Sequence, residues 1–249
     1  MISLKSEREI ALMREASKIV AVILNEIADR IKNGVSTLEL NEWAENRIRE
    51  MGGSPAFKGY RGFPAALCTS LNNEVVHGIP KATRMLKEGD ILGIDVGVLY
   101  QGYYGDGACT FAVGQVSPEA TRIMSSCRKA LFAGIKQARC GRRVGDISRA
   151  INNSVRADGF EIVRDLSGHG IGSMLHEDPQ ILNYYNGKKG SKLQAGMTLA
   201  IEPMIAAGTW EVRTMSDNWT VVTADGGLSA HFEHTVLVTS GEPEILSRL

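Results

Sequence analysis

The chain has 249 residues, of which 43% are hydrophobic and 22% are charged, an ordinary balance for a globular protein with a sizeable core. Lysine plus arginine equals aspartate plus glutamate at 28 each, so the formal net charge is zero, which argues against a protein that grips nucleic acid. The first long apolar run, residues 19–24, is too short for a signal peptide or a membrane span. The four cysteines form no C-x-x-C pair, so we expect reduced thiols in a cytoplasm.

Helix signals come in two pairs along the chain. The predicted helices cover residues 6–34, 36–52, 117–141 and 145–159. The first two open with capping boxes, Ser6–Glu9 and Ser36–Glu39, and the third opens with Ser117 as N-cap before Pro118.

The two helix pairs resemble copies of one unit. A shift of 107 residues places the first pair on the second, and the matches are Gly34 on Gly141, Leu40 on Ile147, Asn46 on Asn153, Ile48 on Val155, Arg49 on Arg156 and Gly52 on Gly159. Chance overlap of two amphipathic helices is the alternative. A duplication predicts one domain over residues 1–249, with halves of about 1–115 and 116–249 that share a sheet and meet at a site.

Strands are predicted after each helix pair, and four of their residues are acidic. The strands cover residues 91–99, 103–113, 198–205 and 228–239, and the acids are Asp95, Asp106, Glu202 and Glu233. A two-residue turn at Gln101-Gly102 would place Asp106 opposite Gly97, diagonal to Asp95 on the same face. Carboxylates buried side by side repel unless a cation lies between them, so this pattern predicts a divalent metal site.

The stretch Asp165–Glu177, DLSGHGIGSMLHE, sets His169 among glycines. A phosphate loop needs Lys and Ser or Thr after its glycines, and a dinucleotide loop needs G-x-G-x-x-G, and this stretch has neither pattern. His169 better fits an imidazole ligand whose backbone must approach the site closely, although taken alone it could be a structural histidine in a turn.

The four strand acids and the glycine-flanked histidine follow one another as Asp95, Asp106, His169, Glu202 and Glu233. In this order they resemble the metal ligands of type I methionine aminopeptidases of the short bacterial form, in the M24 metallopeptidase family. The local contexts are also similar, namely NEVVHGIP, IDV, GHGIG, IEPM and FEHTVLVT. The resemblance covers essentially the whole chain and implies an α+β pita-bread (creatinase/aminopeptidase) fold, with two pseudo-symmetric αα-β halves around one curved antiparallel sheet. We expect neither an N-terminal extension nor the large insertion that type II enzymes carry between their metal ligands.

The resemblance also implies a site with two divalent ions, which could be Fe(II), Mn(II), Co(II) or Zn(II). Asp95 would hold one ion with both oxygens, Asp106 and Glu233 would bridge the ions, and His169 and Glu202 would complete the other. The implied catalytic residues are His77, His176 and Glu202. His77, His176 and a methionine pocket would bind the substrate, and the pocket would be lined by Tyr60, Phe63, Cys68, Leu175 and Trp219.

The implied reaction is removal of the initiator methionine from nascent polypeptides when the second residue is small, with water activated by the two ions. We expect a cytoplasmic monomer that associates transiently with the ribosome and binds neither membrane nor, by itself, nucleic acid. Five positions depart from the family pattern: Arg61 for His, Gly97 and Gly107 for Thr, Leu175 for Phe and His231 for Gln. His231, two residues before Glu233, could be an extra ligand or proton donor.

Three other functions remain open from the sequence. A prolidase or Xaa-Pro aminopeptidase on the same fold would carry a substantial N-terminal domain. A binding protein without catalysis would lose metal ligands that this chain keeps. A metal-dependent phosphoesterase would show more basic residues near its site.

Overall fold

The computed structural model describes residues 2–249. The helices are α1 (Glu7–Ala28), α2 (Thr37–Glu50), α3 (Pro118–Ile135) and α4 (Val144–Ala157). The strands are β1 (Ser54–Pro55), β2 (Leu67–Leu71), β3 (Glu74–Val76), β4 (Ile91–Tyr100), β5 (Tyr103–Ala112), β6 (Glu161–Ile162), β7 (Ser167–Gly170), β8 (Glu177–Leu182), β9 (Thr198–Ile201), β10 (Met204–Ala206), β11 (Val212–Thr214), β12 (Val221–Thr223), β13 (Ser229–His231), β14 (Glu233–Leu237) and β15 (Glu244–Ile245). Among residues 2–249, no helix is long and apolar enough to cross a membrane.

The helices begin where their caps predict, but α1 and α3 end earlier than the sequence indicates. Ser6 and Ser36 form capping boxes and Ser117 caps α3. The apolar pattern continues past both helix ends because Ile31 and Ala138 are buried although they lie outside the helices. The predicted helices were therefore too long, because the apolar pattern continues into residues that follow each helix in a tight turn.

The two halves repeat the same backbone geometry. Gly34 and Gly141 both have positive φ, at 86° and 87°, so each ends its connection in a conformation that glycine adopts without strain. Isolated bridges pair Ser36 with Met85 and Arg143 with Lys192, and each residue of the second bridge lies 107 positions after its counterpart. The two halves are therefore pseudo-symmetric in structure as well as in sequence.

A nine-stranded antiparallel sheet joins the halves. Its main path runs β1-β4-β5-β14-β9-β7-β8, so the pairing of β5 with β14 is the seam between them. The hairpin register is as predicted, with Gly97 opposite Asp106. Two further sheets of three strands, β13-β10-β6 and β11-β12-β3, accompany the large one, which the expectation of one sheet did not include.

Two strands that the sequence predicts as continuous are broken. Residues 198–205 divide into β9 and β10 at Glu202-Pro203, and residues 228–239 divide into β13 and β14 at Phe232. At each break the chain passes between the large sheet and a small one. Pro203 has no N–H to donate to a ladder, which suits a strand boundary. Glu202 consequently lies at a junction, and Glu233 is the first residue of β14.

Helix α1 packs tightly against β5 because two glycines face it. A Cβ on Gly105 would lie 2.6 Å from the Ser17 backbone nitrogen, and a Cβ on Gly107 would lie 2.8 Å from Val20 Cγ1. This close packing accounts for Gly107 where the family pattern has threonine. Because side chains alternate along a strand, Asp106 faces away from α1.

Candidate metal centre

All of the predicted site residues surround one cavity of about 170 Å³. Its lining comprises Phe57, Tyr60, Arg61, Phe63, Cys68, His77, Asp95, Asp106, His169, Leu175, His176, Glu202, Trp219 and Glu233. Phe57 was not anticipated from the sequence, and Arg61 was noted only as a departure from the family pattern. The cavity therefore joins a cluster of acids to an apolar chamber.

The acids and imidazoles converge at one end of this cavity. Donor atoms of Asp106, His169 and Glu233 lie within 4.8 Å of one another, as do those of Glu202, His231 and Glu233. Glu233 belongs to both groups and so connects them. Oδ1 of Asp95 and Oε1 of Glu233 are buried without a hydrogen-bond partner among the described residues, which is unusual for carboxylate oxygens.

Burial raises the pKa of every acid in the cluster. The pKa of Asp95 rises to about 7 through loss of solvent. The pKa values of Asp106, Glu202 and Glu233 rise well above their usual range, first through burial and then through repulsion by neighbouring acids. A bound divalent cation would offset both effects, because it provides the opposite charge that each carboxylate lacks.

His169 is prepared to act as a ligand through Nε2. Its Nδ1 lies 2.8 Å from the carbonyl oxygen of Gly170 and can donate to it, and its Nε2 lies 3.3 Å from Oε1 of Glu202. Burial lowers the pKa of His169 to about 4, so the ring is neutral and the Nε2 lone pair is free. Side chains at Gly168 or Gly170 would collide with the backbone of Ala200 or Asp178, which explains the glycines around His169.

Backbone contacts from other elements hold Glu202 and Asp106 in place. The Asn183 side-chain amide donates to the carbonyl oxygen of Glu202 at 3.0 Å, across the break between β9 and β10. At the seam, the Thr235 hydroxyl accepts from the Asp106 N–H at 3.0 Å and donates to the Asp106 carbonyl at 2.8 Å. No sequence pattern marks Asn183, because its partner Glu202 lies 19 residues further along the chain.

Two further histidines border the acids without joining them. The His176 ring lies 4.2 Å from that of His169, and its Nδ1 is 3.0 Å from the Tyr60 hydroxyl. His77 has a φ of +60°, a sparsely populated conformation for a non-glycine residue, of the kind that clusters at functional sites. Burial lowers the pKa of His77 to about 4 and also lowers that of His176.

The other end of the cavity is apolar and aromatic. Phe63 and Trp219 meet edge to face at 5.2 Å, and Leu175 and Cys68 are buried beside them. The Phe57 ring crosses Gly97, where a Cβ would lie 2.6 Å from Phe57 Cε1. This contact explains Gly97 in place of the threonine of the family pattern.

The donor set fits divalent cations. Carboxylate oxygens and an imidazole, with no thiolate among the predicted ligands, suit Fe(II), Mn(II), Co(II) or Zn(II). Residues 11–240 match the model of metallopeptidase family M24. The chain belongs to metallopeptidase family M24. The four acids and His169, which could hold a metal, thus lie in a member of a metallopeptidase family.

Full-length M24 relatives place the chain among the methionine aminopeptidases. It is 48% identical over 247 residues to the methionine aminopeptidase of Clostridium acetobutylicum, covering 99% of each chain. A crystal structure of methionine aminopeptidase from Thermotoga maritima superposes with a TM-score of 0.98 at 44% identity, covering 100% of each chain. This likeness confirms the pita-bread fold.

A further likeness concerns the fold alone. An Xaa-Pro dipeptidase from Bacillus anthracis superposes with a TM-score of 0.80 at 23% identity. This chain covers 62% of that protein, which is therefore considerably longer.

Proposed function

We propose that this protein is a metal-dependent methionyl aminopeptidase that removes the initiator methionine from nascent polypeptides whose second residue is small. The observation that supports this best is the single cavity that joins five buried or half-buried metal-type donors to an aromatic chamber. Apolar and aromatic walls suit a thioether side chain, because sulfur makes favourable contacts at ring edges. The full-length methionine aminopeptidase relatives support the same substrate.

We propose that two divalent ions bind there, held by Asp95, Asp106, His169, Glu202 and Glu233, with Asp106 and Glu233 shared between them. When bound, such ions polarise a carbonyl and promote the deprotonation of water. The side-chain amide of Asn183 holds the backbone carbonyl of Glu202. The side-chain carboxylate of Glu202 would receive the proton from the attacking water.

The two histidines outside the donor cluster would act on the peptide itself. His176 would donate to the oxygen that becomes negative as water adds to the scissile carbonyl. His77, neutral because burial lowers its pKa, would hydrogen-bond the substrate backbone or the leaving amine. Methionine would occupy the chamber lined by Tyr60, Phe63, Cys68, Leu175 and Trp219, together with Phe57.

We further propose that residues 1–249 form one domain that works as a cytoplasmic monomer and meets nascent chains by transient association with the ribosome. The seam between β5 and β14 supports one domain, because strands of both halves pair there in one sheet. The zero net charge supports the absence of direct nucleic-acid binding.

A peptide assay tests the proposed function. The protein is stripped of metal with EDTA and then supplied with Mn(II), Co(II), Fe(II) or Zn(II). We expect methionine release from Met-Ala-Ser but not from Met-Lys-Ser, and no cleavage of Xaa-Pro peptides. Release from Xaa-Pro peptides alone would favour the prolidase alternative, and no turnover with any metal would favour a binding protein.

A further inference from the structure

We propose that His231 is a sixth protein ligand of the metal centre, binding a divalent ion through Nε2 together with Glu202 and Glu233. The inference extends the function proposed above, because it requires the same carboxylate centre to hold a divalent ion. The resemblance to the family supplies five ligands and a glutamine at this position, so the sixth would be a property of this chain.

The first observation is a buried nitrogen without a partner. The His231 side chain is 4% exposed, and its Nε2 makes no hydrogen bond with any of residues 2–249. Buried polar atoms in proteins are nearly always paired, so this nitrogen points to a partner that is not part of the chain. His234, three residues on, differs, because its Nδ1 lies 2.9 Å from the Ser247 hydroxyl.

The second observation is the geometry around Glu202. Nε2 of His231 lies 3.7 Å from Oε2 of Glu202, which is too long for a hydrogen bond. It suits two donors that share one ion, since each bond to the ion is about 2.0–2.2 Å long. The other oxygen of Glu202 faces His169, so this carboxylate lies between two imidazoles.

The third observation is that the backbone of His231 is fixed. The Thr110 hydroxyl donates to the His231 carbonyl at 2.8 Å and accepts from the His231 N–H at 3.0 Å. An imidazole whose backbone is held at both its N–H and its carbonyl, with donor atoms of Glu202 and Glu233 within 4.8 Å of its own, has the properties of a preformed ligand.

An added nitrogen donor would change the metal preference of the centre. Imidazole suits Zn(II) and Fe(II), whereas all-oxygen surroundings suit Mn(II). The competing role for His231 is to orient Glu202 by hydrogen bonding, a role that glutamine would also fill. His231→Gln therefore separates the two roles.

The decisive measurement is zinc K-edge X-ray absorption on the full chain loaded with Zn(II), combined with the zinc content. Multiplying imidazoles per zinc by zinc per chain gives the imidazole ligands of each molecule. We expect two in the wild type, one in His231→Gln and two in the matched control His234→Gln. A wild-type count of one, or an unchanged count in His231→Gln, would overturn the proposal, and the wild-type count stands even if the variant fails to fold.

Metal titration gives an independent readout. We expect His231→Gln to raise the Kd for Zn(II) about 100-fold and the Kd for Mn(II) much less. Equal effects on the two metals, or none, would contradict a ligand role. Neither measurement uses peptide hydrolysis, so a protein that binds zinc with two imidazoles but releases no methionine would sink the proposed function and leave the ligand in place.

Discussion

The Tyr60 hydroxyl lies 3.0 Å from Nδ1 of His176, a position from which it can set which ring nitrogen carries the proton. If the phenol donates to Nδ1, as the 3.0 Å separation allows, the imidazole proton lies on Nε2 and can be donated to the substrate. We expect Tyr60→Phe to lower kcat for Met-Ala-Ser about tenfold, the equivalent of one hydrogen bond, and to leave metal affinity unchanged. Steady-state kinetics and a metal titration measure both effects.

A matched control is Tyr185→Phe, whose hydroxyl contacts Arg149 on the surface. That variant should keep wild-type kcat. Unchanged turnover in Tyr60→Phe would show that Tyr60 does not set the protonation of His176.

Replacing the Asp106 carboxylate should have opposite effects on the thermal stability of the metal-free and the metal-loaded protein. Its carboxylate is buried among acids that repel it, and its Oδ1 accepts from the Gly107 N–H at 3.0 Å, a bond that an asparagine oxygen can keep. We expect Asp106→Asn to raise the Tm in EDTA at pH 8 by about 3 °C. The rise in Tm that Mn(II) gives the wild type should be largely lost.

Thermal unfolding with and without Mn(II) measures both changes. Asp165→Asn, at an exposed position, is the control and should alter neither. If Asp106→Asn were less stable than the wild type in EDTA and still gained stability from Mn(II), the carboxylate could be neither repelled nor a ligand.

The site residues that can be identified from the sequence are those whose chemistry conflicts with that of their neighbours in the chain. Asp95 and Asp106 are conspicuous because acids rarely lie among apolar strand residues. Phe57 and Asn183 carry no such conflict. An aromatic ring near a turn and an amide in a loop are ordinary until the fold brings them to Gly97 and Glu202.

Helix and strand boundaries that depend on neighbouring residues could be predicted from the sequence, whereas those that depend on distant strands could not. A capping box involves four neighbouring residues, so the start of α1 can be predicted from Ser6–Glu9 alone. The break between β9 and β10 depends on which sheet each piece joins, and that is decided by strands far away in the chain. The hairpin of β4 and β5 was predictable because its turn fixes its register.

The segment before α1 is tied to the loop that carries His176. Lys5 Nζ lies 2.5 Å from Oε2 of Glu177, the first residue of β8, and the two side chains are only 3% and 7% exposed. Removing one partner leaves a buried charge, so we expect Lys5→Met to lower the free energy of unfolding by about 3–5 kcal/mol. The kcat should fall too, because His176 adjoins Glu177. Urea unfolding and kinetics measure these effects.

A double variant makes this prediction specific. Lys5→Met with Glu177→Leu removes both charges and should recover most of the lost stability. Lys58→Met, which breaks a more exposed pair with Glu45, should cost less than about 1 kcal/mol. If Lys5→Met cost no more than Lys58→Met, the buried pair would not hold the His176 loop.

At the scale of the whole molecule, the acids lie where the two halves join. Asp106 and Glu233 belong to β5 and β14, the strands that pair across the seam. Without a cation, four acids with raised pKa values oppose each other at that junction. Metal binding should therefore change the stability of the entire fold, and the pH dependence of that stability should report it.

The direction of the pH effect follows from proton counts. In the unfolded chain the four acids ionise near pH 4, but in the folded metal-free protein they keep protons to higher pH. The folded state then binds more protons, so its stability falls as pH rises through the folded pKa values. The buried histidines have lowered pKa values and act oppositely, but only below about pH 6.5, where unfolded imidazoles gain protons.

The window between pH 7 and 8 isolates the acids, since it lies above the histidine range and below the usual thiol pKa of about 8.5. In EDTA we expect the free energy of unfolding to fall by about 1 kcal/mol or more across this window, because the folded state holds about one proton or more in excess of the unfolded state. With saturating Mn(II) the fall should vanish, because the bound cation keeps the folded carboxylates ionised throughout. Urea unfolding at both pH values measures the slope, and Asp106→Asn should make it shallower. A flat or rising profile in EDTA would mean that the acids are already ionised in the metal-free protein, and the electrostatic case for a cation at the seam would fail.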